Sequence, residues 1–233
     1  IGAMLVQFLL DELIVNEELR SGRTWYLLPC VDPDGTRLNE GWFAGPYNIR
    51  TYARNFFRPR SQEQAEWTFP MSYKEFTFDS PIPETQALMK AFELAAPQFV
   101  YSLHNAGFGG VYYYISHDLS DAYDEFRRIP TDRDLFLSLG EPEMPWAVEF
   151  SPAVYKEPSV RDHYDYLEEF GAEPPASGIQ GGGSSFDYLV ERGNPVMLVS
   201  ELPYFQSAQI ADQTPTELTR RDVILRGLDK TTE

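Results

Sequence analysis

The stretch Phe99-Val-Tyr-Ser-Leu-His104-Asn-Ala-Gly107 predicts a short apolar strand that carries one imidazole to its carboxyl end and then breaks into a glycine loop. A second run, Pro195-Val-Met-Leu-Val-Ser-Glu201-Leu-Pro203, has the same form but ends on a carboxylate. Open α/β sheets build their sites outside the carboxyl ends of their strands. We therefore expect His104 and Glu201 to face one crevice.

Segments with helical spacing accompany these strands along the chain. Apolar residues recur every three or four positions in residues 83–95, 160–170 and 218–228. Strands that alternate with helices predict an α/β fold with a mixed, largely parallel central sheet and helices on both faces. With 233 residues, of which 42% are hydrophobic, the chain is expected to form a single domain over residues 1–233.

Several further segments carry more local predictions. Residues 24–28, a short apolar run between turn signals, predict another strand. Residues 120–128 and 131–139 predict two short helices, the second opened by a capping box at 131–134. Another capping box, at 214–217, is expected to open the last helix because a proline occupies its first helical position.

Charge and composition exclude some classes of partner. The net charge of −17 opposes binding to nucleic acid and to anionic lipid, because no block of Lys or Arg offsets it. No stretch approaches the roughly 18 consecutive apolar residues that span a bilayer, so we expect no membrane partner. Cys30 is the single cysteine, which excludes an internal disulfide and favours a reducing compartment such as the cytoplasm. The sequence indicates no particular oligomeric state.

An imidazole and a carboxylate at neighbouring strand ends suit metal-assisted hydrolysis. The imidazole would be a metal ligand, and the carboxylate would be the general base toward metal-bound water. Two other interpretations stay open on spacing alone, with His104 as a hydrogen-bonded packing residue and Glu201 as a salt-bridged structural carboxylate. A serine hydrolase is not indicated, since the chain has no Gly-x-Ser-x-Gly sequence. A lone cysteine such as Cys30 is usually a buried apolar filler.

Four short motifs follow one another along the chain: Val31-Asp-Pro-Asp-Gly35, Tyr52-Ala-Arg-Asn-Phe56, Ser102-Leu-His104-Asn105 and Gly183-Ser-Ser-Phe-Asp187. Over residues 1–205 they resemble, in order and composition, the carboxypeptidase A-like family of zinc metallocarboxypeptidases. The first is similar to the family's Asn-Pro-Asp-Gly turn, with Asp32 in place of Asn, and the second to its Asn-Arg-Asn-Phe segment. The third resembles the strand end that supplies the third zinc ligand. The position of Glu201, fourteen residues beyond Asp187, resembles that of the catalytic glutamate.

This resemblance implies a zinc-dependent peptidase that hydrolyses a peptide bond near the carboxyl terminus of its substrate. His104 would bind zinc, Glu201 would activate the zinc-bound water, and Arg37 would stabilise the oxyanion of the tetrahedral intermediate. The family's other two zinc ligands form a His-x-x-Glu pair, and Ile1-Gly-Ala-Met4 resembles the residues that follow that pair. The resemblance therefore implies a domain whose amino-terminal part, with these two ligands, precedes Ile1.

Substrate-binding residues follow from the same resemblance. Arg54, with Asn55, would hold the terminal carboxylate of the substrate, because a guanidinium binds a carboxylate through two hydrogen bonds. Phe186 would line the specificity pocket, although a packed core aromatic is the alternative that the residue type favours. Ala53 and Ile179 replace family residues that contact substrate, which weakens the expected recognition of a terminal carboxylate.

Two further functions remain open. A catalytically silent module could bind peptides on the same scaffold through the aromatic-rich residues 42–67, which lie in a long surface segment predicted for residues 37–79. A zinc-dependent amidase or esterase would use the same metal site on a non-peptide substrate. In each case the expected ligand is a peptide or a small amide or ester.

Overall fold

The computed structural model describes residues 2–171, 173–212 and 214–231. Its helices are α1 Gly2–Val15, α2 Glu17–Arg20, α3 Pro33–Leu38, α4 Glu40–Phe43, α5 Ile49–Asn55, α6 Pro83–Ala95, α7 Tyr123–Thr131, α8 Val160–Phe170, α9 Ser185–Val190, α10 Ala208–Ala211 and α11 Arg220–Thr231. Its strands are β1 Met71–Tyr73, β2 Phe76–Phe78, β3 Phe99–Phe108, β4 Tyr112–Ile115, β5 Glu149–Ser151, β6 Val154–Lys156 and β7 Val196–Phe205.

Five of these strands form one mixed sheet in the order β3-β7-β4-β6-β5. The β3–β7 and β4–β6 pairings are parallel, and the β4–β7 and β5–β6 pairings are antiparallel. Strands β1 and β2 form a separate antiparallel hairpin. The predicted α/β class with a mixed sheet is confirmed, and the five-stranded sheet has two parallel and two antiparallel pairings rather than a largely parallel set.

The two strands that the sequence singles out are direct neighbours. β3 and β7 pair in parallel from Phe99 opposite Val196 onward, and His104 lies opposite Glu201. Each of these two polar residues is five positions beyond the first residue of its strand and four before the last, so both lie midway along the strands and not at the carboxyl ends that the sequence predicts. The register therefore brings the imidazole and the carboxylate to the same level of the sheet.

Side chains that alternate along β7 pack against helices on opposite faces of the sheet. Met197 belongs to a core cluster with Leu88 of α6 and Leu189 of α9. The next residue, Leu198, packs with Tyr123 of α7 in a different cluster. Successive strand residues point to opposite faces, so helices cover both sides of the sheet. Glu201 lies on the Met197 face, since four positions separate the two residues.

Helices α6 and α8 have the predicted bounds because their ends are determined locally. Pro83 occupies the first turn of α6, where its missing N–H costs no helical hydrogen bond. Helix α8 begins at a capping box, in which Ser159 accepts from the Asp162 N–H and Asp162 accepts from the Ser159 N–H.

Two local predictions about regular structure are wrong. Residues 24–28 form no strand, and the Trp25 indole instead donates to the Leu19 carbonyl at 2.9 Å. The helix predicted for residues 131–139 does not form, because Thr131 is the last residue of α7 and Asp134 has a positive φ of 56°. The backbone of Val111 then holds this segment on both sides, accepting from the Ser138 N–H and donating to the Phe136 carbonyl.

The capping box predicted at 214–217 is also wrong. Helix α11 begins later, and its first turn is closed by Thr219 and Asp222. The Thr219 N–H donates to Asp222 Oδ2 at 2.9 Å, and the Asp222 N–H donates to Thr219 Oγ1 at 3.2 Å. The first N–H groups of a helix have no acceptor within the helix, and these two reciprocal bonds satisfy two of them.

Residues 37–79 are less irregular than the sequence indicates, since short helices α4 and α5 and the β1–β2 hairpin lie within them. Cys30 is exposed, with its Sγ 3.5 Å from Thr36 Oγ1, so the expected buried filler is a surface residue. A bilayer-spanning helix is not found in the described part of the chain, because none there combines sufficient length with sufficient apolar character.

Candidate functional site

The imidazole of His104 lies between two carboxylates. Its Nδ1 is 3.3 Å from Glu201 Oε1, and its Nε2 is 3.2 Å from Glu66 Oε1. Strands β3 and β7 supply the first pair, and the short 3-10 turn Ala65–Trp67 supplies Glu66. The His104 side chain is 25% exposed and that of Glu66 is 38% exposed, so the site opens to solvent on the Glu66 side.

The turn that carries Glu66 is held by two fully buried threonines. Thr85 Oγ1 of helix α6 donates to the Ala65 carbonyl at 2.7 Å. Thr68 Oγ1 lies 2.6 Å from Thr85 Oγ1. Because both hydroxyl groups are removed from water, these hydrogen bonds fix the backbone on either side of Glu66 relative to α6.

The two carboxylates determine the charge of the His104 ring. Burial disfavours the charged imidazolium, but Glu66 and Glu201 outweigh that effect and raise the pKa of His104 to about 9. Both ring nitrogens then carry protons, and each of them faces an acceptor. The ring is therefore a cation at neutral pH unless another cation takes the place of one proton.

A third carboxyl group, that of Glu157, completes the cluster from the residue that follows β6. It lies within electrostatic range of Glu66, His104 and Glu201. Glu157 is only 8% exposed, and burial followed by the charge of Glu66 raises its pKa to about 8. Its Oε2 is buried and has no hydrogen-bond partner among the described residues. We call Glu66, Glu157 and Glu201, with His104, the acidic cluster.

Two buried tyrosines of β4 lie on the same side of the sheet. Tyr112 is opposite Glu201 in the β4–β7 register, and the Tyr114 hydroxyl donates to Glu143 Oε2 at 3.0 Å. Burial and then the nearby glutamates raise the pKa of both phenols above the ordinary value. Both hydroxyls therefore stay protonated at neutral pH and remain hydrogen-bond donors beside the cluster.

The motif that ends at Asp187 forms a helix cap. The buried Asp187 carboxylate accepts the Ser184 N–H at 2.9 Å and the Val160 N–H at 3.2 Å. It thereby joins the amino-terminal ends of α8 and α9. Its charge also acts on Glu157, and so the cap contributes to the negative potential of the site.

The other residues implied by the family resemblance lie outside the acidic cluster. Arg37 of α3 and Arg54 of α5 are exposed, and neither is among the groups that act on His104. Asn55 Nδ2 donates to the Thr51 carbonyl of its own helix at 2.8 Å. Phe186 is buried in the core cluster that contains Met197. The substrate-binding roles of these residues stay predictions.

The two remaining histidines lie elsewhere. His117 Nδ1 is 2.7 Å from Ser116 Oγ. The His163 ring stacks on Trp146 with centroids 4.2 Å apart, and burial lowers its pKa. Neither acts on His104.

Sequence reasoning missed Glu66 and Glu157. The signal that identified Glu201, a carboxylate directly after an apolar run, is also present in Ala153-Val-Tyr-Lys-Glu157 and could have identified Glu157. Glu66 lies in a segment without regular spacing, so no pattern of apolar residues indicates where its side chain points.

Among the described residues, no group of three or more His, Cys, Asp or Glu side chains is arranged to hold a metal ion. No protein-family model, curated protein or solved structure matches this chain. The function therefore has to be inferred from the geometry and charge of the acidic cluster.

Proposed function

We propose that the chain carries a hydrolytic site of the zinc metallocarboxypeptidase type, which acts on an amide bond near the carboxyl terminus of a peptide or in a small amide. The observation that supports this most is the pair of register partners His104 and Glu201, whose side chains are 3.3 Å apart midway along two paired parallel strands. An imidazole beside a carboxylate in a partly open crevice can move a proton at a reacting carbonyl.

Glu201 is proposed as the general base. It lies on a central strand beside the His104 ring and is largely buried, so its carboxylate is held in one place. It would take the proton of the attacking water and pass it to the leaving amine. Arg37 and Arg54 are proposed for the developing oxyanion and for the substrate carboxylate, since a guanidinium keeps its charge and offers paired donors.

Zinc is part of this proposal, and the donor atoms of the site bear on it. Two ligands of one tetrahedral zinc ion lie about 3.3 Å apart, because zinc–nitrogen and zinc–oxygen bonds are about 2.0–2.2 Å long. His104 Nε2 and Glu66 Oε1, 3.2 Å apart, suit two such ligands. These two residues would supply two of the three protein ligands of a catalytic zinc ion, and the ion would supply Lewis-acid polarisation of the substrate carbonyl and a lowered pKa of bound water.

Metal content and hydrolysis measured on the same protein test the proposal. We expect the chain to retain zinc on dialysis and to cleave amino-blocked dipeptides that have a free carboxyl terminus. Glu201→Gln should retain zinc but lose about 10²-fold or more of the hydrolytic rate, since it removes the proton acceptor. Glu66→Gln should weaken zinc retention.

Glu168→Gln is the matched control, because it makes the same change of charge at an exposed residue paired with Lys74. It should retain both zinc and activity. Hydrolysis by Glu201→Gln at the wild-type rate, or zinc retention that does not change in His104→Ala, would contradict the proposal. Peptide binding without turnover would support the silent module, and equal cleavage of carboxyl-amidated substrates would support an amidase.

A further inference from the structure

The acidic cluster contains more negative charge than the surrounding residues neutralise. The groups that act on the Glu157 carboxyl include three other acids, and His104 is the one base among them. The guanidinium that acts on Asp187, that of Arg161, forms an ion pair with Glu191, and its Nε is buried without a hydrogen-bond partner among the described residues. No lysine or arginine is among the groups that act most on the Glu157 carboxyl.

Glu157 Oε2 is a second, independent sign of a ligand. This oxygen is buried and receives no hydrogen bond from the described residues, whereas nearly all buried polar atoms in folded proteins have a partner. Its carboxyl is within range of Glu66 and Glu201, so it belongs to the same cluster as the site that opens to solvent. A cationic N–H donor placed there would satisfy this oxygen and offset the charge.

We infer that the acidic cluster is the subsite for a primary ammonium group of the substrate, with Glu157 as its principal acceptor. This inference rests on the proposed function, because it specifies the class of peptide or small amide that the hydrolytic site would select. The exposed part of the Glu66 side chain marks the entrance.

The acidic cluster can accept an ammonium group even when a metal ion is bound. Glu157 keeps its proton at pH 7 because its pKa is raised to about 8, so a divalent cation at His104 and Glu66 would balance the charges of Glu66 and Glu201 when the imidazole is neutral. Binding of a cationic group would release the Glu157 proton to solvent and leave a carboxylate, which an ammonium group suits better than a guanidinium does. The three N–H donors of an ammonium group diverge toward several acceptors, whereas the planar guanidinium is matched to one carboxylate.

Binding of two model compounds tests the inference without any need for turnover. Nα-acetyl-L-lysinamide and Nα-acetyl-L-norleucinamide differ mainly in the terminal ammonium group, and calorimetric titration of the full chain at pH 7 compares their affinities. We expect the lysine compound to bind about tenfold more tightly, as for a hydrogen bond to a charged group. Glu157→Gln should abolish this preference, and the charge-matched Glu168→Gln should retain it.

Equal affinity of the wild-type chain for the two compounds would overturn the inference, as would a preference that persists in a folded Glu157→Gln. Circular dichroism establishes the fold of each variant. If Glu157→Gln does not fold, Glu66→Gln provides the test instead, and it should reduce the preference because it removes another charge of the cluster. Loss of bound zinc in Glu157→Gln would assign Glu157 to the metal and overturn the inference. A chain that prefers the lysine compound but hydrolyses nothing would support the subsite while contradicting the proposed hydrolysis.

Discussion

The protonation state of His104 depends on Glu201 and Glu66, and Glu66 can be substituted without a change in any strand because it lies on a turn outside the sheet. The charge of Glu66 raises the pKa of the ring, as do the hydrogen bond and the charge of Glu201. Glu66→Gln should therefore lower the pKa of His104 by about one unit or more. A titration of the ring proton signals by NMR, on metal-free protein, measures this shift. Glu168→Gln should leave the titration unchanged, and an unchanged pKa in Glu66→Gln would exclude the contact.

Stability should fall as pH rises, because two groups hold protons more tightly in the folded chain. The pKa of His104 is raised from 6.5 to about 9, so its stabilising contribution is complete below pH 6.5 and is lost as pH rises through 9. The pKa of Glu157 is raised from 4.5 to about 8, so folding becomes less favourable from pH 4.5 to 8.

Urea unfolding followed by tryptophan fluorescence tests this pH dependence. The denaturation midpoint should be lower at about pH 9 than at about pH 6. The fall of the midpoint with rising pH should be smaller in His104→Asn, because the asparagine side chain does not titrate. A midpoint that rises over this interval would show that other groups dominate the linkage.

The proximity of His104 and Glu201 could be predicted from the sequence because each follows an apolar run, and parallel pairing of two similar runs brings equivalent positions together. Glu66 could not, since its position depends on the buried hydrogen bonds between Thr68, Thr85 and the turn. These contacts join residues that are distant along the chain. No local pattern encodes them.

At the level of helices, the caps differ in how much of the fold they connect. Asp187 closes the first turn of α9 and also accepts the buried Val160 N–H of α8, whereas Asp162 closes the first turn of its own helix and forms a partly exposed ion pair with Lys156. Asp187→Ala would leave two buried N–H groups unpaired and should lower the free energy of unfolding by about 3 kcal/mol. Asp162→Ala, the matched control at a partly exposed cap, should cost about 1 kcal/mol.

Chemical denaturation of the two variants provides the comparison. Equal losses of stability would show that the link between α8 and α9 contributes little. A loss confined to Asp187→Ala, together with weaker binding of the lysine compound, would indicate that this cap also positions the neighbouring acidic cluster.

The difference between local and long-range contacts explains which elements the sequence predicts. Helices α6 and α8 begin at residues whose side chains or ring act within one turn, so their bounds are encoded locally. Residues 131–139 have a helical pattern, but the chain bends at Asp134 and bonds to Val111 on a neighbouring segment. Tertiary hydrogen bonding overrides the helical propensity there.

At the scale of the whole molecule, the acidic cluster is assembled from four separate parts of the chain. β3 and β7 supply His104 and Glu201, the turn Ala65–Trp67 supplies Glu66, and the end of β6 supplies Glu157. The sheet order places β4 between β7 and β6, so the position of Glu157 relative to Glu201 depends on the complete sheet. The sequence therefore predicts the His104–Glu201 pair, but the full charge of the site only follows from the fold.

The net charge of −17 should make folding and ligand binding respond to salt in opposite directions. Like charges on the folded surface repel one another, and ions screen that repulsion, so the urea midpoint should rise when NaCl is increased from about 10 to about 500 mM. The same ions screen the attraction of the acidic cluster for an ammonium group. Affinity for Nα-acetyl-L-lysinamide should therefore fall over the same series, while the uncharged norleucine compound binds with little change. If both affinities changed together, the salt effect would belong to the apolar part of the ligand, and the long-range field of the chain would have no part in selecting cations.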